Sequence, residues 1–466
     1  MDQILLKNEL ENNIKKKTKG TGVIHERGNV KDILPFNSSK KTKLMKDNYL
    51  SMMGAFVREI CDVKLENNKK PHDIFEEDNV LIANLLSQVR CNDDDITFDL
   101  KRFLNQYLFN EEQIKPIHPY LYNHIPHQSK AEEEKFAMFM YDILIKDDNA
   151  LKKIFNKENA EDILTDLILG NLSGIQPVDH QKKNKYQVLS KRVSNLFNED
   201  VLYLSKHKDY FLEHFPLLVH FYFFMYVCQI TIKLDQFETA DMEEIESLYF
   251  ALEWESINKR RKSADELEGY KRVKNRAHHL FVHIHTLSQL SHLNFNNGDE
   301  KEFLTYQQII EKVELQGADQ KETFLVELTD WINYYTTQAN IKFDKRPDSI
   351  EEAFRILFDV LKQGMSTQVC IKYGSNIEDI GGNQFLKHRG SLGKVFNISH
   401  DLFLLLASIC IKEERIPLNQ LFSELETRGV SLDRHSKKAA IELLDSLNII
   451  DKKSDSGDAQ YVKPIL

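Results

Sequence analysis

Phe396-Asn-Ile-Ser-His-Asp-Leu-Phe403 begins, and Gln460-Tyr-Val-Lys-Pro-Ile-Leu466 ends, the stretch that decides the fold. Ser399 is placed to cap a first helix over 402–411, with Leu402, Leu405, Leu406 and Ile409 on one face. Pro417 stands near the start of a second helix, where a missing N–H is harmless. Leu418, Leu421, Phe422 and Leu425 give that helix its apolar face, and Gly429 ends it. A third helix starts at Leu432 or Asp433 and runs to about Leu447, with Ala439, Ala440, Leu443, Leu444 and Leu447 inward. Ile449 and Ile450 begin a strand, Ser454-Asp-Ser-Gly457 is a turn, and Tyr461 and Val462 return. Helix, helix, longer helix and hairpin is the order of a winged helix-turn-helix. Just upstream, Phe385 to Ile398 reads as short strands around Gly390 and Gly393, so the module is drawn as residues 383–466.

In that architecture the third helix enters the DNA major groove by its N-terminal end. Arg434, His435, Ser436, Lys437 and Lys438 occupy that end, and Lys452 and Lys453 sit in the hairpin within reach of phosphates. The charge balance is modest, with 12 Lys/Arg against 11 Asp/Glu from residue 385 on. Winged helices also dock proteins, so DNA contact and protein docking both stay open at this level.

Two tracts carry a family resemblance. Gly429-Val-Ser-Leu-Asp-Arg-His-Ser-Lys437, followed by Leu447-Asn-Ile-Ile-Asp-Lys-Lys-Ser-Asp-Ser-Gly-Asp-Ala-Gln-Tyr-Val-Lys463, resembles the C-terminus of the DptG (DndG) family. Members of that family are components of DNA phosphorothioation-dependent restriction systems. The resemblance implies a non-catalytic subunit working with DptF-like and DptH-like partners against DNA that lacks the sulfur-for-oxygen modification. The ATPase and nuclease-like work belongs to those partners, and the family offers no catalytic residues to carry over. The quotable resemblance begins at about residue 385.

The rest of the chain predicts helices. Residues 1–48 form a lysine-rich arm, with Lys15-Lys-Lys17, Lys19, Lys40, Lys41, Lys43 and Lys46, and count 11 Lys/Arg against 6 Asp/Glu. They read either as solvated or as a loosely docked strand-and-loop segment. A helical N-terminal region follows over 49–130, with a face at Leu50, Met53, Phe56, Val57 and Ile60, a second helix over 80–89, and Thr97 capping a third. It closes in a proline-punctuated loop at 115–127. The helical body spans 131–382, with helices expected over 131–144, 160–169, 185–196, 211–232, 241–258, 264–293, 321–337 and 349–361, the last capped by Ser349 with Glu352 in a capping box. A softer stretch over 364–382 leads to the C-terminal module. The expected fold class is therefore all-α: a multi-helix body with a C-terminal winged helix-turn-helix.

Composition limits the alternatives. The 466 residues carry a net charge of −10, so any nucleic-acid contact must be local. The 5 cysteines are scattered without metal-ligand or redox spacing, as expected of free thiols in the cytoplasm. The N-terminus lacks the apolar segment of a signal peptide. Phe215 to Ile232 is apolar for the length of a membrane span, but it suits the centre of a large helical domain equally well, and no membrane association is expected.

No phosphate loop or nucleophile elbow is found: Gly390-Ser-Leu-Gly393-Lys394 is too short for the first. Asp93 to Asp95 with Asp99-Leu-Lys101 imitates a nuclease motif, but on a helical pattern where the chemistry needs strands. His279 and His283 share a helical face in a cluster running from His278 to His292, which also includes His285. A metal-dependent enzyme at that cluster is the rival from another class. A winged-helix transcriptional regulator is a third reading, disfavoured by the size of the body. The basic run Lys259-Arg-Arg-Lys262, with Lys271, Arg272, Lys274 and Arg276, is either a phosphate-contacting face or a solvated one. No cofactor is expected.

Overall fold

The computed structural model describes residues 3–16, 23–38, 49–65, 82, 85–87, 89–90, 93–110, 113–127, 129–146, 148–158, 160, 162–172, 174–178, 184–452 and 460–466. Its longest element, helix α1 (Lys208–Asp235), lies at the centre. Twenty-eight residues at about 1.5 Å each make a rod of roughly 42 Å. Every side chain from Leu218 to Leu234 is buried, because helices pack around it on all sides. Among the described residues it is the one helix long and apolar enough to cross a membrane, and 89% of its apolar window is buried in protein.

Pro216 interrupts the α1 ladder, since it has no N–H to offer the carbonyl of Leu212. The Tyr122 hydroxyl donates to that carbonyl instead, at 2.9 Å. Tyr122 belongs to the proline-punctuated loop, so the loop's ordered turn (Pro119–His124) repairs the core helix.

Around α1 pack α2 (Tyr270–Leu290) and α3 (Thr367–Phe385), together with helices at Tyr49–Cys61, Lys130–Leu144 and Lys191–Leu204. The stretch expected to be soft is therefore α3, interrupted only near its end at Gly382 (φ 48°). Its glycine at 374 permits a close crossing: a Cβ there would stand 2.3 Å from the Ala277 carbonyl oxygen of α2. Close packing thus explains a glycine within the stretch expected to be softer. Ser349 caps Ile350–Gly364 as expected, its hydroxyl accepting from the Glu352 N–H at 3.2 Å. The Glu352 carboxylate reaches back to the Asp348 N–H, one residue further than a capping box requires.

A second correction concerns 241–258. Leu248–Leu252 is a strand, β1, not part of a helix. Four of its five residues are buried, and a short strand buried on both faces shows no alternation that would separate it from a helix. It pairs in parallel with β3 (Lys394–Ile398) on one side and with β4 (Val430–Leu432) on the other, while β2 (Leu386–His388) flanks β3 antiparallel. The chain is thus predominantly helical with small sheets rather than purely α. The boundary at 383 is crossed by this sheet, one of whose two inner strands comes from the body.

Thr97 lies inside a helix at Asp94–Leu108, one turn after its start, and its N–H bonds the Asp93 carbonyl. The second helix expected over 80–89 falls largely outside the described residues. The lysine-rich segment is docked where it is described. Ile4, Leu5, Leu10, Val23, Ile33 and Leu34 are buried, and the backbone N–H groups of Ile4 and Leu5 bond Glu327. Lys17, Lys19, Lys40, Lys41, Lys43 and Lys46 lie outside the described residues.

Candidate nucleic-acid interface

After β3 the chain runs through α4 (His400–Ile411), a two-residue strand β5 (Ile416–Pro417), α5 (Leu418–Thr427), β4, α6 (Arg434–Ser446) and strands β6 (Ile450–Lys452) and β7 (Gln460–Val462). Ser399 caps α4, its hydroxyl accepting from the Leu402 N–H. Strands β5, β7 and β6 form one antiparallel sheet with β7 in the middle. Between α5 and β4 the chain turns at Gly429 (φ 85°), where a Cβ would stand 2.4 Å from Met225 Cε of α1. The turn therefore presses on the core helix.

The first turn of α6 has two faces. Asp433 caps it by accepting from the His435 and Ser436 N–H groups at 2.9 and 3.0 Å. The same carboxylate accepts from Arg261 Nη2 at 2.8 Å. Ser436 is fully buried; its hydroxyl donates to Glu255 at 2.7 Å and accepts from Arg261 at 2.9 Å. Arg261 also donates to Glu255 at 2.9 Å. Burial works to raise the Asp433 pKa, but Arg261 and the helix N–H groups outweigh it and hold the carboxyl below its usual range.

On the outer face Arg434, His435 and Lys438 are exposed, and Lys437 is half-buried. Lys437 lies 5.1 Å from the centre of the Phe422 ring and 3.5 Å from Glu426. Lys438 lies 3.8 Å from Glu442, a solvent-exposed pair of little energetic weight. These four residues line an open cleft of about 910 Å³ whose lining also includes Tyr249 and Lys262 of the body.

The sequence-predicted residues thus divide. Arg434, His435, Lys437 and Lys438 come together at one cleft, whereas the Ser436 hydroxyl is spent inward on Glu255 and Arg261. Lys452 is placed by its backbone alone, paired with Gln460 at the end of β6, and Lys453 lies outside the described residues. So does Ser454–Asp458, which carried part of the family resemblance.

Sequence reasoning missed the residues that fix the cleft. Arg261 was seen only as one of a basic run, and Glu255 was not singled out. A second clamp is Arg428, whose guanidinium makes bonds of 2.8 and 2.7 Å to Asp200, both nearly inaccessible, with the Tyr222 hydroxyl donating to the same carboxylate. Arg389 adds bonds to the carbonyls of Leu252, Glu253 and Glu255 after β1. No local pattern announces such pairings, because the partners are 172 and 228 residues apart.

The histidine cluster has a different arrangement. His279 Nδ1 and His283 Nε2 both face Asp235, at 2.8 and 3.4 Å, and His283 Nδ1 faces the Tyr306 hydroxyl at 3.0 Å. His279 Nε2 faces Lys362 Nζ at 3.0 Å. Burial depresses the His283 and His285 imidazoles, the latter to about 3. His292 is held by the Ser288 carbonyl and Asn13. Among the described residues, no group of three or more His, Cys, Asp or Glu side chains is arranged to hold a metal ion. His118 accepts from the Tyr120 N–H, and His127 bridges Glu133 and Arg58, so both are bound within their loop's surroundings. Asp99 and Lys101 lie on the helix at Asp94–Leu108 rather than on strands, and Asp99 faces Arg102 at 3.4 Å.

No protein-family model matches the chain, and no curated protein matches it either.

Proposed function

We propose that residues 383–466 form a winged helix-turn-helix that contacts DNA, within a non-catalytic subunit of a restriction complex. The complex acts on DNA lacking phosphorothioate modification, and this subunit links DNA to DptF-like and DptH-like partners that supply ATPase and nuclease work. The element order of α4, β5, α5, α6 and the β6–β7 pair supports the winged reading, as does a three-stranded sheet with its last strand central. The observation that carries DNA contact is the outward presentation of Arg434, His435 and Lys438 beside an open cleft, while Asp433 and Ser436 anchor the same helical turn. Arg suits guanine edges and Lys suits phosphates.

Two measurements test this. Changing Arg434 and Lys438 to Ala should weaken duplex binding and flatten its dependence on salt; unchanged affinity and slope would move the module to protein docking. Purification of the native complex should recover ATPase activity with this chain. Recovery of the chain alone would overturn the restriction-subunit reading.

A further inference from the structure

The basic run Lys259-Arg-Arg-Lys262 and the start of α6 are far apart in sequence, yet the fold joins them. Arg261 is the joint: its side chain is 8% exposed and turned toward Asp433, Glu255 and Ser436. With that one member of the run facing inward, Lys259, Arg260 and Lys262 remain exposed on the outer side. Lys262 lines the same cleft as Arg434, His435 and Lys438.

The acids nearby are mostly occupied. Glu268 holds Lys262 at 2.9 Å, Glu426 is 3.5 Å from Lys437, and Asp433 is bound by Arg261. Glu266 lies 3.8 Å from Lys271, and Asp265 accepts from the Leu267 N–H. Among the described residues, Lys259, Arg260 and Arg434 have no ion-pair partner. Unpaired cations are therefore left on both sides of one joint, and they come from parts of the chain that the sequence separates.

We propose that the 259–262 loop and the first turn of α6 form one composite surface for the sugar-phosphate backbone of duplex DNA, with Arg261 as the positioning residue that holds its two halves in register. This rests on the DNA-contacting reading of α6 and extends it into the helical body. A winged module acting alone would place its phosphate contacts on its own elements; here part of the footprint belongs to the body. The rigid joint makes the two halves a single docking face, so the orientation of DNA relative to the body is set by Arg261.

The test is a fluorescence-anisotropy titration of the full chain with a 30-base-pair unmodified duplex between about 50 and 200 mM salt. Lys259→Ala with Arg260→Ala should weaken binding about tenfold at the low-salt end and make the slope of log K against log salt shallower by about 2. Arg434→Ala with Lys438→Ala should have an effect of the same kind. If the helix variant weakens binding and the loop variant matches the wild type, the composite surface is overturned and the reading of α6 stands. If neither variant differs from the wild type, or the wild type does not bind, both are overturned. Arg261→Ala, assayed well below its melting temperature, should flatten the salt slope although it removes no outward charge. Arg261→Lys should restore part of the slope. A merely structural Arg261 would lower the melting temperature and leave the slope unchanged.

Discussion

Arg428 and Arg261 both tie the C-terminal elements to the helical body, but they do so in different surroundings. Arg428 is sealed with Asp200 beneath the end of α5, against α1 through Tyr222. Arg261 is held behind an open cleft that its partner Asp433 lines, and divides its donors among Asp433, Glu255 and Ser436. The first joins interior to interior and offers nothing to a ligand. The second joins the inner face of a helical turn whose outer face is cationic and accessible. The same chemistry therefore secures the fold in one place and orients a candidate binding surface in the other.

The largest effect expected is from Arg428→Ala, which leaves the Asp200 carboxylate and Tyr222 hydroxyl buried without their cation. A loss of about 3–5 kcal/mol in denaturant unfolding is expected. A loss under about 1 kcal/mol would remove the distinction drawn here. Replacing the pair together, with Arg428→Met and Asp200→Leu, should recover much of the loss, because no isolated charge then remains.

Arg261→Ala should cost less, about 2–3 kcal/mol, since water in the cleft can solvate part of what it abandons. If it costs as much as Arg428→Ala, the joint behind the cleft and the interior one are equivalent and the contrast fails.

Acidification separates the body from the joint. Burial depresses the His220 imidazole from its ordinary 6.5 to about 4 and that of His285 to about 3. The unfolded chain therefore binds protons below pH 6.5 that the native chain refuses. Stability falls as pH drops through that window, by up to about 1.4 kcal/mol per pH unit for each histidine. Asp433 has a depressed pKa, so its contribution is present above the ordinary carboxylate range and is lost only as pH falls below it. Urea midpoints at pH 7.5, 6 and 5 should thus decline before the Arg261 joint titrates. A flat profile down to pH 5 would count against neutral buried histidines.

The smallest effect belongs to Lys438→Ala. Its pair with Glu442 is exposed, so stability should change by less than about 0.5 kcal/mol in thermal unfolding. A larger loss would show that the outer face of α6 serves the fold.

Much of the helical body was legible from spacing of apolar residues alone, as at Tyr49–Cys61, Lys130–Leu144 and Ile350–Gly364. The strand at Leu248–Leu252 was not, because burial on both faces erases the alternation that marks a strand, nor was α3, whose Gly374 and Gly381 serve packing. At the candidate site, the clustering of Arg434, His435, Lys437 and Lys438 follows from adjacency on one helical turn. The inward commitment of Ser436 does not, because it depends on Glu255 and Arg261 arriving from the body.

Residues within a few turns of one another set the periodic helices, the caps at Ser349 and Ser399, the long buried α1 and the basic start of α6. Only the assembled chain pairs the body strand β1 with both β3 and β4, brings Arg428 and Arg261 to acids from elsewhere in the sequence, and sets Lys262 at the α6 cleft. Those choices depend on burial and on pairings across long separations, where the free energy of desolvating a charge or completing a strand edge is settled only when distant segments come together.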